Sequence, residues 1–214
     1  MSKYDIIENI DYTPKYAIEQ IEKEAKEVKK AGGKYLLVHF PFFAGECYGD
    51  PDEIIENGLK KLSRIQNDAN IDIVCEPKLG IKRAAFGIEY MHRFPVDTWA
   101  KYGLGICIDI GDYVMVAGED GTMEYIDKWR KHIKVVHLHN VDYSGGEYFW
   151  KPMHPDDEAD GHHKTQHIIE QLAQLGNIYF VLEHTPHGEY SKEYVKEGIE
   201  WVEEMIQGKY KSDI

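Results

Sequence analysis

Short, continuous apolar runs alternate along the chain with longer amphipathic stretches. Five runs read as strands: Lys34–Phe43 (KYLLVHFPFF), Ile71–Pro77 (IDIVCEP), Gly103–Asp112 (GLGICIDIGD), Ile133–Asn140 (IKVVHLHN) and Asn177–Pro186 (NIYFVLEHTP). Between them the apolar positions fall at helical spacing. TPKYAIEQIEKEAKEVKKAGG opens with Thr and Pro and closes on Gly, the usual punctuation of a helix. DPDEIIENGLKKLSRIQNDAN predicts a second helix, with Asp50 as its N-cap and Pro51 as its first residue. PVDTWAKY, TMEYIDKWRKH, HKTQHIIEQLAQLG and SKEYVKEGIEWVEEMIQ predict four more. Strands that are apolar throughout, and not alternating, fit a parallel sheet covered by helices. Their recurrence at about 30–45 residues is the length of a βα unit. Residues 1–214 are therefore expected to form a single α/β domain. One stretch, Val141–Gly161, has no clear period and is rich in Trp, Tyr, Phe, His and Asp. A connection that long is expected to carry function.

Composition narrows the possibilities. The 38 acidic and 25 basic side chains leave a formal charge of −13, which repels phosphate backbones and argues against a nucleic-acid partner. No apolar run reaches the roughly 20 residues of a membrane span, and the polar start MSKYDIIENIDYT does not read as a signal peptide. Cys47, Cys75 and Cys107 are sparse and odd in number, and two of them lie within apolar runs. They are expected to be reduced thiols of a cytoplasmic protein.

The candidate chemistry lies where the runs end. Each closes on a side chain able to ligate a metal: His39, Glu76, Asp109, His137 with His139, and Glu183. His137 and His139 are two residues apart and so share one face of their strand. In parallel α/β folds, sites form at the carboxyl ends of the strands. Oxygen and imidazole donors gathered there suit a divalent cation: Mn²⁺, Mg²⁺, Co²⁺ or Zn²⁺.

These strand ends, YLLVHFP, IDIVCEP, GLGICIDIGD, IKVVHLHN and IYFVLEHT, resemble those of the xylose isomerase-like TIM-barrel superfamily. That superfamily holds sugar isomerases, sugar epimerases and an apurinic endonuclease branch. The resemblance runs from about Lys34 to Thr185. It implies a metal held by Glu76, Asp109, His137 and Glu183, with His139 open as the ligand in place of His137, and with Glu76 and Glu183 also exchanging a proton with a ketose or polyol substrate. His39, His139, Asp112 and His154 would contact the substrate, and Phe42, Phe43, Tyr113 and Trp150 would supply apolar walls. Two departures count against the endonuclease branch. Asp112 stands where the family usually has His, and Pro152 stands where an Asp would precede His154.

The resemblance also implies a barrel of about eight strands, of which five to six are legible here, without the family's first βα units. The expected function is a divalent-metal-dependent sugar isomerase or epimerase. Two alternatives stand beside it: a degenerate, non-catalytic barrel that binds a metal or small molecule, and a metal-dependent hydrolase or endonuclease. An open barrel edge leaves backbone groups unpaired. A homodimer is expected to cover it through the N-terminal segment and through Tyr194, Ile199, Trp201 and Met205 of the last helix.

Overall fold

The computed structural model describes residues 14–144, 147–159, 161–183 and 190–208. The elements run α1 (Pro14–Lys30), β1 (Tyr35–Phe42), α2 (Pro51–Ala69), β2 (Asp72–Lys78), α3 (Phe86–Arg93), α4 (Val96–Ala100), β3 (Gly105–Asp109) and α5 (Ile110–Trp129). They continue with β4 (Ile133–Leu138), β5 (Asn140–Ser144), β6 (Glu147–Lys151), α6 (Gln166–Ala173), β7 (Tyr179–Leu182) and α7 (Lys192–Ile206). Strands β1, β2, β3, β4 and β7 form a five-stranded parallel sheet in that order, and β5 and β6 form a separate antiparallel hairpin. This is the α/β architecture expected from the strand pattern, with the TIM-barrel-like form that the resemblance implied. Among the described residues β1 and β7 are not paired with each other, so the barrel is not closed.

The sheet is nevertheless curled. The rings of Tyr35 on β1 and Tyr179 on β7 lie 5.3 Å apart, although these strands are at opposite ends of the strand order. Side chains on the concave face pack on one another: Val74, Cys107 and Val135 are fully buried, with Tyr35, Leu37 and Val181 against them. Side chains on the other face join the helices in the large core, which includes Ile73, Ile106, Ile108, Val136, Trp99 and Trp129. Because strand side chains alternate, the next inward positions above Leu37, Val74, Cys107, Val135 and Val181 are His39, Glu76, Asp109, His137 and Glu183. The inner apolar layer is thus the floor on which the polar strand ends stand.

Local sequence explains the helices. In α2 the Asp50 side chain accepts a hydrogen bond from the Asp52 N–H, Pro51 opens the helix, and Ile55, Leu59, Leu62 and Ile65 make its buried stripe. Close approach fixes two glycines. A Cβ at Gly87 would lie 2.3 Å from the Lys78 carbonyl oxygen, so α3 seats directly on the end of β2. A Cβ at Gly111 would lie 2.2 Å from the His139 ring, so α5 leaves room there for that imidazole.

Three elements differ from the expectation. The third strand stops at Asp109, and α5 begins at once, well before Thr122; a left-handed residue, Gly118 at φ 67°, interrupts it. Ile110, Tyr113 and Val114 are buried at helical spacing, but Ile110 and Asp112 read in sequence as the tail of the apolar run. Phe86–Arg93 forms a short helix that the sequence did not announce. The aperiodic stretch Val141–Gly161 contains most of the hairpin, in which Val141 pairs with Trp150 and Asp142 with Phe149.

The last helix buries Trp201 and Met205 in the chain's own core, so these two are not available to a second copy. The expected N-terminal contact segment lies mainly outside the described residues. No helix among the described residues is long and apolar enough to cross a membrane.

Candidate metal centre

Glu76, Asp109, His137 and Glu183 converge at the carboxyl ends of four neighbouring strands. One ligand atom from each lies within 4.8 Å of the others. Asp109 and His137 are register partners on β3 and β4, and His39 and Glu76 are partners on β1 and β2. Glu183 follows the last residue of β7 and remains half exposed, whereas Glu76 and Asp109 are fully buried. The set therefore has a buried floor and one carboxylate at the mouth.

The distances are those of an ionic cluster. His137 Nδ1 lies 2.5 Å from Glu183 Oε2 and 3.6 Å from Glu76 Oε1. His39 Nε2 lies 3.5 Å from Glu76 Oε2. His139 Nε2 lies 2.6 Å from Asp109 Oδ1, and Asp109 Oδ1 also accepts the Asp112 N–H at 3.0 Å, capping α5. Asp109, Asp112 and His139 thereby form a second, overlapping group of possible ligands. The two histidines that share a strand face are divided between the groups.

Lys78 completes the cluster, and sequence reasoning missed it. Its Nζ donates to Glu76 Oε1 at 2.8 Å and Asp109 Oδ2 at 2.9 Å, and stands 2.9 Å from Asp112 Oδ2. Pro77 read as the end of the second strand, but β2 continues one residue further. The signal was the period of two: Lys78 shares the face of Glu76 and Val74.

Burial and charge set the protonation states. Burial works against the Lys78 ammonium, but Asp109, Asp112 and Glu76 outweigh it and hold its pKa well above the usual lysine range. Burial likewise opposes ionised Asp109, and the cations of His139 and Lys78 keep it well below the usual carboxylate range. Asp112 goes the other way. Burial, then the charge of Asp109, push it up to about 6. His139, although buried, is raised to about 9 by Asp109. Burial opposes the His137 cation too, but its hydrogen-bonding neighbours Cys107, Glu183 and Glu76 raise it. Hydrogen bonding to His137 lowers Glu183.

The donor set fits a divalent cation. Glu76 Oε2 is buried without a hydrogen-bond partner among the described residues, an arrangement that costs free energy unless something else occupies it. Three carboxylates and an imidazole are donors for a hard-to-borderline ion. The fully buried thiol of Cys107 lies beneath, within 4.8 Å of ligand atoms on Glu76 and His137.

Other candidates scatter. Trp150 lines the cluster, with its ring 5.6 Å from that of His139 and 6.0 Å from Lys78 Nζ. Tyr113 is instead fully buried against Tyr125. Phe43 packs edge-on against Tyr90, and Phe42 is largely exposed. His154 is not brought to the cluster. Its ring stacks on Tyr194 of α7 at 3.7 Å, and its Nε2 lies 3.5 Å from Glu197. The stretch that carries it is pinned by Lys151, which reaches Asp157 at 2.5 Å and Asp142 at 3.3 Å.

Comparison with known proteins establishes the family and the fold. A family model described as xylose isomerase-like TIM barrel matches residues 6–205, and the chain belongs to that family. A probable endonuclease 4 of Mycoplasmopsis pulmonis is 26% identical over 193 residues, which are 85% of this chain and 67% of that protein. A D-tagatose 3-epimerase-like protein of known structure aligns with a TM-score of 0.62 at 20% identity, over 91% of this chain and 70% of its own. A xylose isomerase-like TIM barrel protein from Mycobacterium smegmatis, solved in complex with magnesium, aligns with a TM-score of 0.60 at 14% identity, over 91% and 68%. At these identities the two structures establish the shared fold.

The His139–Asp109 pair makes stability depend on pH. The folded-state pKa of His139, about 9, lies above its ordinary 6.5, so the pair's contribution is complete below about pH 6.5 and is lost as pH rises through about 9. Its size is on the order of 3 kcal/mol. Urea unfolding of the metal-free protein, held with a chelator, should show stability falling between pH 7 and pH 9, and His139→Asn should flatten that slope. Equal slopes for the two proteins would refute the assignment.

Proposed function

We propose that this chain is a divalent-metal-dependent isomerase or epimerase of ketoses or related polyols. The convergence of Glu76, Asp109, His137 and Glu183 within 4.8 Å at one end of the sheet carries the reading. Those four residues would hold the ion. When bound, a divalent ion supplies a Lewis acid that polarises a carbonyl and acidifies the neighbouring C–H.

The chain's own groups would do the rest. Glu183 is half exposed at the mouth, and its hydrogen bond with His137 favours the carboxylate, the form that accepts a proton. Glu76 has a free oxygen, Oε2, on the buried side. One carboxylate would take the proton from the carbon beside the carbonyl and the other would return it. His39, His139 and Asp112 stand around the same cluster and would bind hydroxyls, with the Trp150 ring as an apolar wall. His154 was also expected to touch substrate, but its place against α7 does not support that role.

Phosphodiester hydrolysis is the second reading, and the likeness to a probable endonuclease 4 favours it. The charge of −13 and the acid at position 112 weigh against it.

Two measurements test these proposals. Exchange of solvent deuterium into the carbon beside the carbonyl of ketohexoses, read by NMR with Mn²⁺ present, should occur and should fall at least ~100-fold in Glu76→Gln and Glu183→Gln. Cleavage of abasic DNA with no exchange into any sugar would overturn the reading in favour of the hydrolase. A homodimer across the unpaired sheet edges belongs to the same proposal; the exposed Phe42, Tyr179 and Leu182 on β1 and β7 support it. Sedimentation equilibrium should then give about twice 24.8 kDa, and a single-chain mass at micromolar concentration would contradict it.

A further inference from the structure

The turn that follows β2 is strained, and it stands at the mouth of the centre. Lys82 lies at φ 53° and ψ 33°, and Arg83 at φ 59°. Two consecutive left-handed residues with long side chains are costly; glycine or asparagine takes that conformation more readily. The turn is nevertheless held firmly. The Gly80 N–H donates to the Ala84 carbonyl at 2.8 Å, the Arg83 N–H to the Gly80 carbonyl at 3.1 Å, and the Ile81 N–H to the Ala44 carbonyl at 3.1 Å. A Cβ at Gly80 would lie 2.1 Å from the Phe43 carbonyl oxygen, so the turn is seated on the segment that leaves β1. It therefore belongs to the carboxyl ends of the strands, where the ionic cluster lies.

The strain places one side chain. Arg83 Cζ lies 5.8 Å from the centre of the Tyr148 ring and 5.9 Å from that of Trp150, two residues on one face of β6. The Trp150 ring also lies 5.6 Å from that of His139 and 6.0 Å from Lys78 Nζ. A single indole thus links the Arg83 guanidinium to the cluster. Lys78, the other cation at that ring, is engaged by Glu76, Asp109 and Asp112. Arg83 is not engaged in this way. Among the described residues no carboxylate lies within ion-pairing distance of it, and the residue is exposed.

We infer that Arg83 is an anion anchor at the mouth of the centre, and that the ketose or polyol carries a phosphate or carboxylate on the end away from the reacting carbon. The substrate class rests on the proposed isomerase or epimerase function.

The chemistry is that of a guanidinium on an aromatic platform. A ring face fixes the plane of the guanidinium and leaves its in-plane N–H donors to an anion, and that planar fork matches two oxygens of a carboxylate or phosphate. Strained backbone is retained where the placement of a side chain offsets its cost, which is the arrangement at Lys82 and Arg83. The formal charge of −13 repels an anionic substrate, and a cation at the rim offsets that repulsion where the charged end would rest. A short sugar chain lying along the indole would put its reacting carbon at the strand ends and its charged end at Arg83. A neutral polyol has no group that uses this cation.

Isothermal titration of the chain with D-fructose, D-fructuronate and D-fructose 6-phosphate, in the presence of Mn²⁺, tests the inference, because the three differ only in the group at the far carbon. One or both anionic sugars should bind at least ~10-fold more tightly than fructose. A larger gain for the phosphate assigns Arg83 to a phosphorylated substrate, and a larger gain for the uronate assigns it to a sugar acid. Arg83→Gln and Arg83→Asn should each bring all three sugars to within ~3-fold of one another. Asparagine accepts the left-handed turn, so the Arg83→Asn protein should unfold at a temperature no lower than wild type. Equal affinities in wild type, a preference that survives either substitution, or no binding of any of the three sugars would overturn the inference. A lower unfolding temperature in Arg83→Asn would also overturn it, by making the stack on Tyr148 and Trp150 a structural contact. Arg83-dependent binding of abasic DNA with no preference among the sugars would do the same. The two proposals fail separately. An Arg83-dependent preference without deuterium exchange into any of the sugars would discard the isomerase reading and keep the anchor, whereas exchange without a preference would discard the anchor and keep the isomerase.

Discussion

Four carboxylates, Glu76, Asp109, Asp112 and Glu183, are brought to one end of a curled sheet, and the first three are fully buried. Unpaired, ionised groups there would cost several kcal/mol each. The structure meets that cost with cations placed among them: Lys78 between Glu76, Asp109 and Asp112, His139 on Asp109, and His137 on Glu183. Much else follows from this arrangement. The end of β2 must be held where Nζ can reach three acids, which the close packing of Gly87 on the Lys78 carbonyl achieves. Helix α5 must begin directly after β3, because Asp109 is both a member of the cluster and the cap of that helix. Gly111 must lack a side chain so that His139 can lie beneath the helix.

The sheet supplies the platform. Five parallel strands in sequence order deliver their inward side chains in layers, with Val74, Cys107 and Val135 forming an apolar floor directly below the polar layer. Tyr35 and Tyr179 meet across the gap between β1 and β7 at the level of that floor, so curvature is maintained without hydrogen bonds joining the two strands. The hairpin of β5 and β6 brings Trp150 over His139 and near Lys78, giving one wall of the centre.

The strand ends were legible in the sequence because parallel strands are apolar throughout, so each polar residue that interrupts them is conspicuous. His39, Glu76, Asp109, His137, His139 and Glu183 were all found in this way, and all six lie in or beside the cluster. Lys78 was hidden because a proline precedes it, and a proline reads as the end of a strand. Asp112 was found as a strand-end residue, but it lies in the first turn of a helix, since Ile110, Tyr113 and Val114 satisfy either pattern. His154 illustrates a different limit. Its loop has no period from which a direction could be read, and ion pairs of Lys151 with Asp142 and Asp157, which no sequence pattern announces, hold that loop in place.

The central claim is that Glu76, Asp109, His137 and Glu183 together hold a divalent cation. Anomalous diffraction from crystals grown with Mn²⁺ addresses it most directly. The account predicts an anomalous peak about 2.0–2.3 Å from donor atoms of those four residues. A peak held by Asp109, Asp112 and His139 without Glu76 and Glu183, or no peak at all, would contradict it.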